Sequence, residues 1–254
     1  MSFKLGIPAI LAAGALLICA VASGQTTANL LFLARAQTAF AQAQKNHLAD
    51  TNSAAAAREL ARTSFDLAEL ATNETRRAES ARCGIDASRR IIAHEPKSAP
   101  GHYYLAMNLG ELAQAEAPSL AAYKMVHEVE REFAAAADLD VRYDFAGPAR
   151  NLGELYFQAP SWPLSVGSKH KAREWLERAA ALVPEYPENL LCLAEAQLQW
   201  RQLDEAAKTL RQLAANWPAA VTNLTGEARE KDWREWTLRR VAATTEYRRL
   251  AAAH

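Results

Sequence analysis

The stretch PEYPENLLCLAEAQLQWRQLDEAAKTLRQLAANWP, residues 184–218, decides the fold. Its bounding prolines, Pro184 and Pro218, stand 34 residues apart, and between them Leu193, Ala194, Ala206 and Leu210 fall where two packed helices need small and apolar contacts. The pattern predicts helices over about Glu188 to Trp200 and Asp204 to Asn216. The second is stopped by Pro218, because proline disfavours helix at the residue before it. A period of this length marks a stack of helical hairpins, in which each unit covers the apolar face its neighbour cannot hide alone.

The same signature recurs upstream. Leu152-Gly153-Glu154-Leu155-Tyr156 places a leucine inward, a glycine where a neighbouring helix comes close, and a tyrosine to fill the gap. This third hairpin begins at Gly147-Pro148, runs to Gln158, and resumes at Ser168 as N-cap of a helix over Lys169 to Leu182. Before it, Leu30 to Asn46 reads as a covering helix. Ala54 to Leu70 and a partner ending near Ala93 form a first hairpin, with Pro96 closing it. Tyr104, Leu105, Ala106 and Leu109 mark a second, whose return helix opens at Pro118-Ser119 and ends by Leu139. From Gly226 a terminal helix is expected to cap the stack. Its inner side would carry Trp233, Trp236 or Thr237, Val241, Thr244 and Tyr247, with Arg239, Arg248 and Arg249 elsewhere. Only 10 glycines and 10 prolines in 254 residues, with runs such as Ala54 to Ala57, agree with an all-α chain.

Charge is balanced, with 29 Lys+Arg against 29 Asp+Glu, so nothing in the totals draws the chain to nucleic acid. Residues 1–24 differ in kind. Lys4 precedes an uncharged apolar run from Leu5 to Ala22, which reads as an export signal, and Ala22 and Gly24 are the small residues that place a cut after Gly24. A retained signal anchor is the other reading. Leu16-Leu17-Ile18-Cys19 approximates a lipobox, which would put a lipid anchor on Cys19, although Ile18 stands where a small residue belongs. Residues 25–254 are then the exported helical region, with its clearest repeats over 146–184 and 187–218. Cys83 and Cys192 could pair in an oxidising compartment. Their apolar neighbours favour two separate buried thiols.

The 34-residue hairpins resemble tetratricopeptide repeats. The segment Gly147 to Glu195 also resembles the T component associated with TRAP transporters. It holds Arg150-Asn151-Leu152-Gly153-Glu154-Leu155-Tyr156, then Ala159-Pro160-Ser161-Trp162-Pro163 with Gly167 later, then Pro184-Glu185-Tyr186-Pro187-Glu188-Asn189. The resemblance implies a tetratricopeptide-like α-solenoid of about four hairpins with terminal capping helices. It implies a periplasmic binding protein that partners the substrate-binding subunit of a TRAP uptake system, assembles as a homotrimer and handles an apolar small molecule. The alternative is a periplasmic scaffold that docks peptide segments of envelope proteins.

In such repeats the first helix of each hairpin lines the concave face. Register then points Tyr103, Met107 and Glu111, next Arg150, Glu154, Phe157 and Gln158, and finally Leu191, Glu195, Leu198 and Gln199 toward a partner or ligand. Trp162 joins them, either touching the ligand or plugging the end of its hairpin. Arg150 and Glu154 would otherwise pair across one helical turn. Catalysis is not expected, and neither cofactor nor metal. The chain lacks a Gly-x-Ser-x-Gly elbow, a Gly-Lys-Ser/Thr phosphate loop, a Cys-x-x-Cys pair and a His-Glu-x-x-His helix.

Overall fold

A computed structural model describes residues 19–161 and 163–253. Most of the expected signal segment, and Trp162, lie outside the described residues. Among the described residues ten α-helices follow one another: α1 Cys19–Ala49, α2 Ala54–Glu69, α3 Glu74–His94, α4 Ala99–Ala115, α5 Leu120–Asp140, α6 Tyr143–Gln158, α7 Lys169–Leu182, α8 Pro187–Gln199, α9 Leu203–Asn223 and α10 Glu230–Ala251. Among the described residues there is no strand, only an isolated bridge between Ser161 and Gly167. The expected cut after Gly24 falls within α1. No described helix is long and apolar enough to cross a membrane. The chain divides into two compact units, one ending at Leu139 and one covering Asp140–His254.

In the first unit α1 leans on α2, and α2 and α3 form a hairpin on which α4 packs. Caps fix the helix starts. Ser53 Oγ accepts from the Ala56 amide, and Asn73 Oδ1 from the Arg76 amide, each satisfying one of the amide groups that a first turn leaves unpaired. The core is built from Leu60, Phe65, Ile85, Ile91, Tyr103, Met107 and Phe133, all buried. The Tyr103 and Phe133 rings meet at 5.9 Å and join α4 to α5. A second tie is polar: His102 Nδ1 lies 2.6 Å from Glu132 Oε2, and His102 Nε2 lies 3.1 Å from the Pro96 carbonyl.

In the second unit α6 and α7 form one hairpin, α8 and α9 the next, and α10 packs on α8 and α9 as a closing helix. Leu193, Ala194 and Ala206 are buried as the spacing required, and Leu210 packs partly buried beside them. Ser168 caps α7 by accepting from the Lys171 amide. Gly153 admits α7 closely, since a Cβ there would stand 2.6 Å from Leu176 Cγ and 2.9 Å from the Leu176 backbone nitrogen. The backbone contact cannot be relieved by turning a side chain. Gly153→Ala is therefore expected to cost about 1–3 kcal/mol through overpacking, read as a fall in the urea midpoint with little change in slope.

Two expectations fail. Pro218 does not stop α9, which runs on to Asn223. Just before the proline the Trp217 ring meets Trp233 edge-to-face at 5.3 Å, and just past it Ala220 is buried, so packing outweighs the hydrogen bond that proline cannot make. The expected inner side of α10 holds for Trp233, Trp236 and Tyr247, which pack inward, and fails at Arg239 and Val241. Trp236, Ala243 and Leu250 are its buried residues and Arg239 points inward with them, whereas Val241 is 58% exposed. The inward position of a positive charge at Arg239 hid this face from a reading based on apolar spacing.

Candidate functional site

The most elaborate arrangement of polar and aromatic groups lies inside the second unit, where α6, α8 and α10 meet. It starts from a backbone peculiarity. Asp144, Phe145 and Ala146 take φ values of 47°, 56° and 63°, so the right-handed part of α6 begins at Gly147-Pro148, where the sequence placed the hairpin. Left-handed backbone costs about 1–2 kcal/mol per non-glycine residue, and several contacts hold it here. The Phe145 ring stacks on Tyr186 at 4.6 Å with planes 8° apart. The Phe145 carbonyl accepts from Asn189 Nδ2 at 3.0 Å and from Arg150 Nη1 at 3.2 Å.

Asn189 is the hub of this joint. Its Nδ2 also donates to the Val183 carbonyl at 2.9 Å, and its Oδ1 accepts from Arg150 Nη1 at 2.9 Å. Arg150 lies fully buried, 3.8 Å from the Asp144 carboxylate, with its guanidinium over the Tyr186 ring. Glu154, one turn along α6 from Arg150, accepts from Gln158 Nε2 at 3.3 Å. From Tyr186 an edge-to-face series continues through Trp236, Trp233 and Trp217. Arg229 stands over Phe145 and Tyr186, and Arg240 over Trp217.

A second knot joins α10 to α8. Arg239 donates to both oxygens of Glu195, at 2.8 and 2.7 Å, and to Glu188 at 2.9 Å, with a further contact to Cys192 Sγ at 3.3 Å. Burial pushes the Cys192 thiol well up, with the Glu154 charge adding to the shift, which removes its thiolate character. Burial likewise pushes the Tyr186 hydroxyl up. Cys83 and Cys192 are both free thiols. Among the described residues no group of three His, Cys, Asp or Glu could hold a metal ion. The arrangement suits mechanical locking of helices.

The residues singled out from the sequence fall in both units. Tyr103, Met107 and Glu111 are buried on α4. Arg150 and Glu154 are buried on α6, and Leu191 and Leu198 on α8, while Phe157, Gln158 and Glu195 are partly accessible and Gln199 is exposed. Phe157 meets Trp200 edge-to-face at 5.6 Å, and Lys169 and Arg173 of α7 stand over that Trp200 ring. Arg239 was expected away from the inner side of α10, and the joining of Asn189 with the inward tryptophans Trp233 and Trp236 in one arrangement was not foreseen. Their common signal was aromatic and arginine content recurring at helical spacing late in the chain.

The insert between α6 and α7 closes on itself. The Gly167 amide donates to the Pro160 carbonyl at 2.9 Å, and the Ser168 amide to the Tyr156 carbonyl at 2.9 Å. Gly167 is required by space, since a Cβ would sit 2.0 Å from the Ala159 carbonyl oxygen. At the turn of this loop Leu164 is 74% exposed.

With the helices and this joint in place, the class is clear: the fold is all-α and tetratricopeptide-like. It is similar to the crystal structure of a thermophilic TPR protein from Thermus thermophilus, with a TM-score of 0.61 and 20% identity, over 87% of this chain and 96% of that one. No family model matches the chain, and no curated protein matches it.

Proposed function

We propose that the chain is a non-catalytic helical-repeat binding protein that holds a protein partner. The observation that carries this reading is the tetratricopeptide-like fold over most of the chain, since stacked hairpins leave surface positions that can vary without disturbing the core. Phe157, Gln158, Glu195 and Gln199 are the accessible part of the expected binding face, and Leu164 on its closed loop supplies an apolar anchor beside it in sequence. The finer reading is an exported T component of a TRAP-type system. In it the protein pairs with a substrate-binding subunit, assembles as a homotrimer, handles an apolar small ligand, and is held at the membrane by its N-terminal segment or a lipid on Cys19. Its support is the sequence pattern from Gly147 to Glu195.

Affinity capture from a bacterial envelope extract tests both levels. Recovery of a solute-binding subunit, reduced about tenfold by Leu164→Asp as expected for loss of a buried apolar anchor, supports the finer reading. Recovery of several unrelated envelope proteins favours peptide docking. Recovery of no protein at all, from extract that supports capture by a control bait, overturns the binding reading.

A further inference from the structure

The first unit holds a feature that partner docking does not use. A cleft of about 500 Å³ opens between α1, α2 and α3. That volume lies within the ordinary range of small-molecule sites. One wall is largely apolar, with Leu33 and Phe40 of α1 and Leu67 of α2 beside Gln37 and Gln44, and Arg76, Glu79 and Cys83 of α3 stand along the other side. Arg76 and Glu79 are three residues apart on one helix, so their side chains rise from neighbouring positions on the same face. Among the described residues neither makes an ion pair, and both are exposed. A cation and an anion side by side, opposite an apolar wall, match a ligand that carries both charges at one end and a hydrocarbon tail at the other.

We propose that this cleft binds a zwitterionic amphiphile, an α-amino acid type headgroup with an aliphatic tail. Arg76 takes the carboxylate, Glu79 takes the ammonium, and Leu33, Phe40 and Leu67 enclose the tail. The site is independent of the partner-binding reading, so loss of partner capture leaves it standing and failure here leaves capture untouched.

Cys83 provides the readout. It lines the cleft as a half-buried free thiol, while Cys192 is fully buried and serves as an internal control. Burial pushes the Cys83 thiol up, so iodoacetamide labelling is run over long times at mildly alkaline pH, where the probes' ammonium groups stay protonated, and each cysteine is followed by peptide mass mapping. The probes are 2-aminodecanoate, decanoate and decylamine, all below their aggregation thresholds. At ten times its Kd, 2-aminodecanoate is expected to slow Cys83 labelling about tenfold. Decanoate and decylamine, each missing one charged contact, are expected to bind about tenfold or more weakly.

Arg76→Gln should erase the preference for the amino acid over decylamine, and Glu79→Gln its preference over decanoate. Both positions are exposed, so both variants are expected to fold, with circular dichroism as the check. Cys83 labelling that no probe slows, equal protection by all three probes, or head-group preferences unchanged in both variants would each overturn the proposal.

Discussion

Asn189→Ala is expected to destabilise the second unit by about 3–5 kcal/mol, because one amide side chain satisfies three groups and its removal leaves carbonyls and a guanidinium short of partners in a buried site. The Nδ2 group holds the carbonyls of Phe145 and Val183, and Oδ1 holds Arg150. For a chain of this size that corresponds to a fall in Tm of about 10 °C. The informative control is Asn189→Asp. It improves the charge match to Arg150 yet puts an oxygen against two carbonyl oxygens, so it should rescue little. A full rescue by aspartate would mean that the Arg150 contact alone matters and that the left-handed segment at Asp144 to Ala146 is held by other means.

Arg239→Met is the second large effect. The guanidinium is 15% exposed and bridges Glu188, itself almost fully buried, and Glu195. Removing one member of a buried charge cluster typically costs about 3–5 kcal/mol, because the remaining charge keeps its desolvation cost without the attraction. Methionine keeps most of the side-chain volume, so packing loss is small. The sign with pH follows from the carboxylates. Against the burial that pushes it up, Arg150 and Arg239 hold the Glu188 carboxyl well below the usual carboxylate range; removing Arg239 makes that carboxyl harder to ionise in the folded chain, so the deficit should be full near neutrality and shrink as pH falls through the carboxylate range. Urea titrations of both proteins at several pH values check this. A deficit that stays constant with pH would show that Arg239 acts through packing.

How much of this was legible beforehand differs from element to element. The hairpins were legible because their signals are local. Ser168 as a cap, the paired prolines, and Gly153 with its neighbouring leucines each state their role within a few residues. The end of α9 was not, because what carries the helix past Pro218 is Trp217 meeting a helix that follows it in the chain. The place of Arg239 on α10 was misjudged for the same reason. Arg239 looks like a solvated residue until Glu188 and Glu195 are brought to it.

Of the expected binding face, the side chains identified by register turned out to vary widely in burial. Arg150 and Leu191 are enclosed, while Gln199 is open. Register along one helix says which residues share a side, and only packing says how deep that side lies. The joint at Asp144 to Ala146 had no sequence signal beyond the Gly147-Pro148 pair that follows it. Left-handed backbone at three non-glycine residues is imposed by the contacts of Phe145 with Tyr186, Arg150 and Asn189.

The proposal that this chain holds a protein partner meets its most direct test in chemical cross-linking of the intact protein within an envelope extract. Lys169 and Lys171, exposed at the start of α7 beside the closed insert, are the reactive positions. Cross-links from these lysines to one solute-binding subunit, lost together with capture in Leu164→Asp, are the expected result. Lysines that link only within the chain, at concentrations where the fold is intact, would contradict it.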